Sequence, residues 1–147
     1  MSDLAPLTQE EVKNMAVEWY KKLDVHAPMV EILPMLNDGD LEMVFPEATL
    51  HGLAAFEGWY QGVIRIFFDE EHEVTECAVA VNGTVAEVKI VVRWAASRWN
   101  PPARYSDRIV LDAYQTWTVK RHEKTGLPVV TKYTVDRLEY QEGSAKL

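Results

Sequence analysis

Cysteine is nearly missing from this chain of 147 residues. Cys77 stands alone, so neither an internal disulfide nor a thiolate metal cluster can form. Long apolar runs are missing as well: each is broken by charge well before the roughly 18 residues that a bilayer-spanning helix needs. Met1 to Gln9 has neither the basic nor the apolar stretch of a secretory leader. Together these absences imply a soluble protein of a reducing, cytoplasmic setting. Basic residues are in short supply, with 15 Lys and Arg against 23 Asp and Glu and a net charge of −8. Such a chain repels phosphate backbones and anionic lipid, so no nucleic acid and no membrane is expected as a partner. Catalytic signatures are absent too, whether GxSxG, a Gly-rich phosphate loop, HExxH or CxxC. The histidines, His26, His51, His72 and His122, show no pair at metal-ligand spacing, so no metal and no cofactor is expected.

What the chain has in plenty is aromatic residues: five Trp, six Tyr and four Phe. Its length suits one domain over residues 1–147, with an ordered part of about 8–140 and loose ends at 1–6 and 142–147. Thr8-Gln9-Glu10-Glu11 is a capping box, with Leu7 and Val12 placed for a hydrophobic staple. Val12, Met15, Ala16, Trp19 and Leu23 then recur at helical spacing, with Tyr20 on the flank, up to a stop near Asp24–Ala27. A short helix fits Met29–Leu36, kinked or ended by Pro34, and Asn37–Asp40 is a turn. Leu41–Phe45 and Ala48–His51 read as short strands. After Gly52, the spacing of Leu53, Phe56, Tyr60, Val63, Ile64 and Phe67 is again helical, with Gly58 and Gly62 small enough for close packing on a sheet.

From Glu73 the period becomes two. Glu73–Val81, Thr84–Trp99, Ser106–Arg121 and Leu127–Tyr140 read as long strands, the first two joined by an Asn82-Gly83 hairpin turn. Ala86, Val88, Ile90, Val92 and Trp94 share one face of the second. Ile109, Leu111, Ala113, Gln115, Trp117 and Val119 share one face of the third. Helices first and an antiparallel meander last make an α+β layout.

This order resembles the nuclear transport factor 2-like superfamily, over roughly residues 8 to 140. The residues that carry the resemblance are the capped helix with Trp19-Tyr20, the segment Leu50-His51-Gly52-Leu53-Ala54-Ala55-Phe56, and the ending Pro128–Asp136. The middle segment is similar to the strand–Gly–helix start of SnoaL-like polyketide cyclases and ketosteroid isomerases. The resemblance implies a cone-shaped, cystatin-like α+β barrel, in which a strongly curved antiparallel sheet wraps around the N-terminal helices and a hydrophobic pocket. Enzymes and non-catalytic modules share that fold, so function must come from the site.

Two residues stand out as catalytic candidates. By the resemblance, Tyr20 lies where ketosteroid isomerases place an oxyanion-hole tyrosine, and a phenol is an effective donor to a developing enolate. Packing of its ring against the sheet is the alternative. His51 ends the second short strand, near the place of the isomerases' proton-shuttling aspartate, and an imidazole suits general-base work near neutrality. It could equally cap the third helix and point outward. Asp112 and Tyr114 fall on the face opposite Leu111, Ala113 and Trp117, which departs from the isomerase pattern. Tyr133 and Arg137 share a face of the last strand, so one of them could line the pocket, although Asp136 and Arg137 read better as solvated charges on an outer face. Trp19, Phe56, Tyr60, Trp94, Trp117 and Tyr133 are the candidates for contact with a small hydrophobic ligand, although stripes of this kind also build cores.

Arg93, Arg98, Arg104 and Arg108 crowd the long hairpin, whereas Asp69 to Glu76 holds five acids and no Lys or Arg. These arginines could hold an anionic substrate, or pair with the acidic run of the same chain or of a second subunit. The opposed patches favour self-association, and a homodimer through the sheet is expected. The expected activity is that of a cofactor-free lyase, isomerase or cyclase acting on a small hydrophobic carbonyl or polycyclic compound. The other reading is a ligand-binding or assembly module of the same fold.

Overall fold

The computed structural model describes residues 4–147, so the expected looseness of residues 1–3, and whatever signal they carry, lies outside the described residues. Helix α1 (Gln9–Asp24) starts on the capping box: Thr8 accepts the Glu11 N–H while Glu11 takes the Thr8 N–H at 3.1 Å. Pro28 and Pro34 cut the next segment into α2 (Met29–Ile32) and a single 3₁₀ turn over Leu33–Met35. Strands β1 (Glu42–Val44) and β2 (Thr49–His51) precede α3 (Gly52–Ile66), whose first residue has φ +85°. A side chain there would strain the strand-to-helix corner, which is why glycine stands at 52. No helix among the described residues is long and apolar enough to cross a membrane.

The sheet corrects two expectations. It holds six strands in the order β2-β1-β6-β5-β4-β3 and stays open rather than closing into a barrel. It is mixed rather than antiparallel, because β1 runs parallel to β6 (Pro128–Tyr140), with Met43 opposite Tyr133. Strands β3 (Phe67–Asn82), β4 (Val85–Arg98) and β5 (Asp107–Arg121) form the predicted meander with β6. However, β3 begins six residues before Glu73, so the acidic run lies on the sheet. The hairpin turn is Gly83-Thr84 rather than Asn82-Gly83, with the left-handed φ of +64° at its first central residue.

Four features re-phase the strands. Extra residues open bulges between Phe68 and Glu71 and between Val74 and Glu76 in β3, and the register of β6 slips opposite Tyr114 and Gln115 and again opposite Thr118 and Val119. The inward residues of β3 therefore change from 70, 72 and 74 to 77, 79 and 81. In β6 the first of these slips carries Arg137 outward to lie over the Tyr114 ring at 3.8 Å, whereas Tyr133, Val135 and Leu138 face inward. Arg137 thus does not line the pocket.

The core lies between α1 and the inner face of the sheet, around Trp19, Trp117, Tyr20, Tyr60 and Phe56. Both ends of the described residues are tied down. The expected loose tail 142–147 is pinned: Ser144 accepts the Val110 N–H at 2.9 Å, and the Ala145 N–H donates to Arg108. At the other end Arg121 donates to the Ala5, Pro6 and Gly126 carbonyls and to the Glu11 carboxylate. That guanidinium holds the Glu11 carboxyl below its ordinary range. A lowered folded pKa adds stability above the unfolded value and loses it as pH falls through the folded one. Arg121→Met should therefore cost about 2–3 kcal/mol at neutral pH in urea titrations. The deficit should shrink as Glu11 becomes protonated, and an unchanged deficit at low pH would show that the carboxylate plays no part.

The expected basic patch is largely satisfied within the chain. Arg93 binds Asp112 with two bonds of 2.9 and 3.2 Å, Arg98 reaches the Lys146 carbonyl, and Arg108 donates to the Asp69 carbonyl and to Ser97.

Candidate functional site

A cavity of about 570 Å³ opens between α3 and the inner face of the sheet. Apolar groups make most of its wall: Val92 and Trp94 from β4, Leu111 and Ala113 from β5, Val135 and Leu138 from β6, and Leu147 from the tail. Phe45 and Trp59 stack at its rim with ring centres 4.1 Å apart, and the Trp59 indole N–H donates to Glu47. Gly58 and Gly62 line it from α3, and a Cβ on either would meet nothing within 4 Å. The two glycines therefore keep the wall thin rather than permitting tight packing, which corrects the expectation above. Gly62→Ala should raise stability by about 0.5–1 kcal/mol through helix propensity alone. A loss of stability on thermal melting would mean that the position is crowded after all.

Few polar side chains enter this space, and two of them come from the acidic run of β3. His72 stands on the inner face with its side chain 10% exposed, between the rings of Tyr20 (5.0 Å) and Trp94 (6.3 Å). Its Nδ1 lies 2.6 Å from Asp24 Oδ1, at the last residue of α1, while the His72 backbone N–H donates to Asp24 Oδ2. An ionised carboxylate only accepts, so Nδ1 carries a proton, and in the neutral ring this tautomer places the lone pair on Nε2. Among the described residues no protein group bonds Nε2, and the ring lines the cavity. The arrangement is that of an oriented base facing an apolar hollow.

Glu70, two residues earlier on the same face, is the second group. Its Oε2 bonds His26 Nε2 and its Oε1 accepts the Trp94 indole N–H at 3.0 Å. Asp69, just before it, has φ +50° within the bulge, and His26, just beyond α1, has φ +51°. Left-handed backbone at a residue with a side chain costs about 1–2 kcal/mol, and bulges next to sites commonly re-aim a side chain. Deeper in the wall, Gln115 Oε1 accepts both the Tyr20 hydroxyl (2.7 Å) and the Trp117 indole N–H (3.0 Å). Burial pushes the phenols of Tyr60 and Tyr133 up to about 12, and it raises that of Tyr20 well above the ordinary phenol range. All three stay protonated across the working range and act only as neutral groups.

The two catalytic candidates read from the sequence are not brought together. His51 occupies the position before α3 but its side chain caps nothing and is 72% exposed. It lines a separate polar hollow with Asp40, Glu42 and Lys132, on β2 rather than in the cavity. Alternation explains this, because the inward residue of β2 is Leu50, so His51 must face out. Tyr20 is buried and gives its hydroxyl to Gln115; it reaches the cavity only as the platform beneath His72. Of the expected aromatic contacts, Tyr60, Trp94 and Tyr133 line the cavity, whereas Trp19, Phe56 and Trp117 lie behind it in the core. Asp112 and Asp136 bind Arg93 and Thr116 on the outer face. Asp24, His72, Glu70 and His26 were not singled out. The signal for them was a histidine and a glutamate two apart at the head of a strand, an odd place to bury charge.

No family model matches this chain, and no curated protein does. Solved structures do. A candidate aromatic ring hydroxylase of Novosphingobium aromaticivorans superposes with a TM-score of 0.75 at 15% identity, over 90% of this chain and 92% of its own. A candidate scytalone dehydratase of the same organism gives 0.70 at 18% identity, over 94% and 87%. A type 2 hexachlorocyclohexane dehydrochlorinase gives 0.74 at 12% identity, over 95% and 92%. At these identities the likeness is one of fold, and the fold is that of the nuclear transport factor 2-like, cystatin-like proteins.

Proposed function

We propose that this nuclear transport factor 2-like fold is used as a cofactor-free lyase, in which the Asp24–His72 pair removes a proton from a compact hydrophobic substrate and an elimination follows. One observation carries the reading: an imidazole with Nδ1 tied to a carboxylate turns a free Nε2 into an apolar cavity of about 570 Å³. A cavity of this size suits a ligand of one or two rings. Similar folds named for a dehydratase and a dehydrochlorinase, both eliminations, support the same chemistry.

His72 acts as the base, and Asp24 fixes its tautomer and stabilises the imidazolium formed. The Tyr20 and Trp94 rings hold the imidazole in plane between them. Tyr60, Tyr133 and the aliphatic wall exclude water, which strengthens each polar interaction inside. A cavity lined this way disfavours charged substrates and selects neutral, largely apolar ones.

Nitrobenzisoxazole tests the reading directly, because removal of its one acidic proton opens the ring to a coloured phenolate. The wild type should saturate with this probe and turn it over faster than an equal concentration of free imidazole, and His72→Ala should remove the excess. Saturable binding without turnover would instead favour a ligand-binding module.

A further inference from the structure

Among the described residues, two non-glycine positions have left-handed backbone, and both serve one contact. His26 (φ +51°) supplies the imidazole on Glu70 Oε2, and Asp69 (φ +50°) is the bulge residue that turns Glu70 inward. Strain of this kind persists where its surroundings over-determine it, and it gathers at working sites. The Glu70 side chain is only 5% exposed, and a carboxyl taken into an apolar wall is costly unless it is paired. Here it is paired twice, by His26 Nε2 and by the Trp94 indole N–H. An imidazole nitrogen and a carboxyl oxygen within bonding reach hold a proton between them. His26 is itself 28% exposed, so a continuous route for a proton runs from solvent through its ring to the cavity wall. Glu70 and His72 share the inner face of β3 and line the same space.

We propose that Glu70 is the acid that protonates the departing group, and that the substrates are β-hydroxy carbonyl compounds losing water. The proposal rests on the reading of His72 as the base. In the step, the C–H bond breaks and its proton passes to His72 Nε2, while its electron pair forms the carbon–carbon double bond. The C–O bond breaks with its pair on oxygen, and the hydroxyl takes the Glu70 proton and leaves as water. His26 then returns a proton from solvent to Glu70, and His72 releases its own, so the net change is the loss of one water. A halide departs without a proton and would have no use for this pair.

Two probes with different leaving groups separate the claims. The aldol of benzaldehyde and acetone must expel hydroxide as water, giving an enone followed in the near ultraviolet. Nitrobenzisoxazole expels a phenolate that needs no proton. Glu70→Gln should slow the dehydration about 10²-fold, and ring opening at least about tenfold less than that. His26→Gln, a change at a positioning residue, should show the same split with a smaller loss. Circular dichroism melting confirms that each variant is folded, and His26→Gln decides if Glu70→Gln is not. Equal losses on the two probes, or no loss of dehydration, overturn the proposal. So does a wild type that opens nitrobenzisoxazole but never dehydrates the aldol, with the base reading left standing. Dehydration that survives in His72→Ala overturns the base reading instead.

Discussion

Replacing His72 with alanine should lower kcat/KM for nitrobenzisoxazole by about 10²–10⁴-fold, the range a positioned general base supplies. The variant keeps the apolar wall and only widens the cavity by the imidazole's space, so binding of the probe should persist and the loss should fall on kcat. Asp24→Asn tests the orientation of the base. A carboxamide at 24 can present its N–H to Nδ1, which would move the imidazole proton to Nε2 and leave no lone pair facing the cavity. The loss should therefore approach that of His72→Ala. Because the two residues act as one unit, the double variant should be no slower than either single one by more than a few fold. Losses that multiply would show that Asp24 and His72 work independently. A His72→Ala protein within threefold of the wild type, with its melting curve intact, would sink the mechanism.

The scaffold was legible in the chain and the site was not, for one physical reason. Periodicity reports which side of an element is apolar, and most elements here obey it without interruption. The capping box, the α1 stripe from Val12 to Leu23 and the inner faces of β4 and β5 all follow directly. The site sits where periodicity is broken. Reading back along β3 from Val79 and Cys77 at a period of two puts Glu73 and Glu71 inside and His72 and Glu70 outside. The bulge between Val74 and Glu76 reverses that phase, and the one beside Asp69 sets the angle of Glu70. Charged residues in a row read naturally as a solvated face, so two buried ones among them were hidden. Asp24 was hidden differently: it ends a helix 48 residues before its partner, and only the packing of α1 across β3 joins them. His51 was the visible histidine because it stood at a recognisable motif, yet the alternation of β2 turns it out of the cavity.

The division of the aromatics between core and cavity carries the largest stability prediction. Trp19 and Trp94 look alike in the sequence, each a tryptophan on an inward stripe, but their surroundings differ. Trp19 is fully enclosed, with the rings of Phe56, Tyr133 and Trp117 at 5.8, 5.8 and 6.2 Å, and it touches no open space. Truncation there deletes buried surface and leaves a hole that its rigid aromatic neighbours cannot close, so Trp19→Ala should cost about 3–5 kcal/mol in urea titrations. For a chain of this size that is a large part of the total stability. Trp94 lines a hollow that already exists, with the Phe67 ring edge-on at 5.0 Å and Glu70 on its indole nitrogen. Trp94→Phe keeps most of the ring's contact and should cost less than about 1.5 kcal/mol. It removes a donor from Glu70, so its effect belongs on dehydration of the aldol and much less on stability. Trp19→Ala shows the opposite pattern: the fraction that remains folded should keep the rate constant of the wild type, since the cavity wall is one layer away. A Trp19→Ala protein as stable as the wild type would mean that this layer of rings is not the core, and the walls of the cavity would then have to be drawn elsewhere.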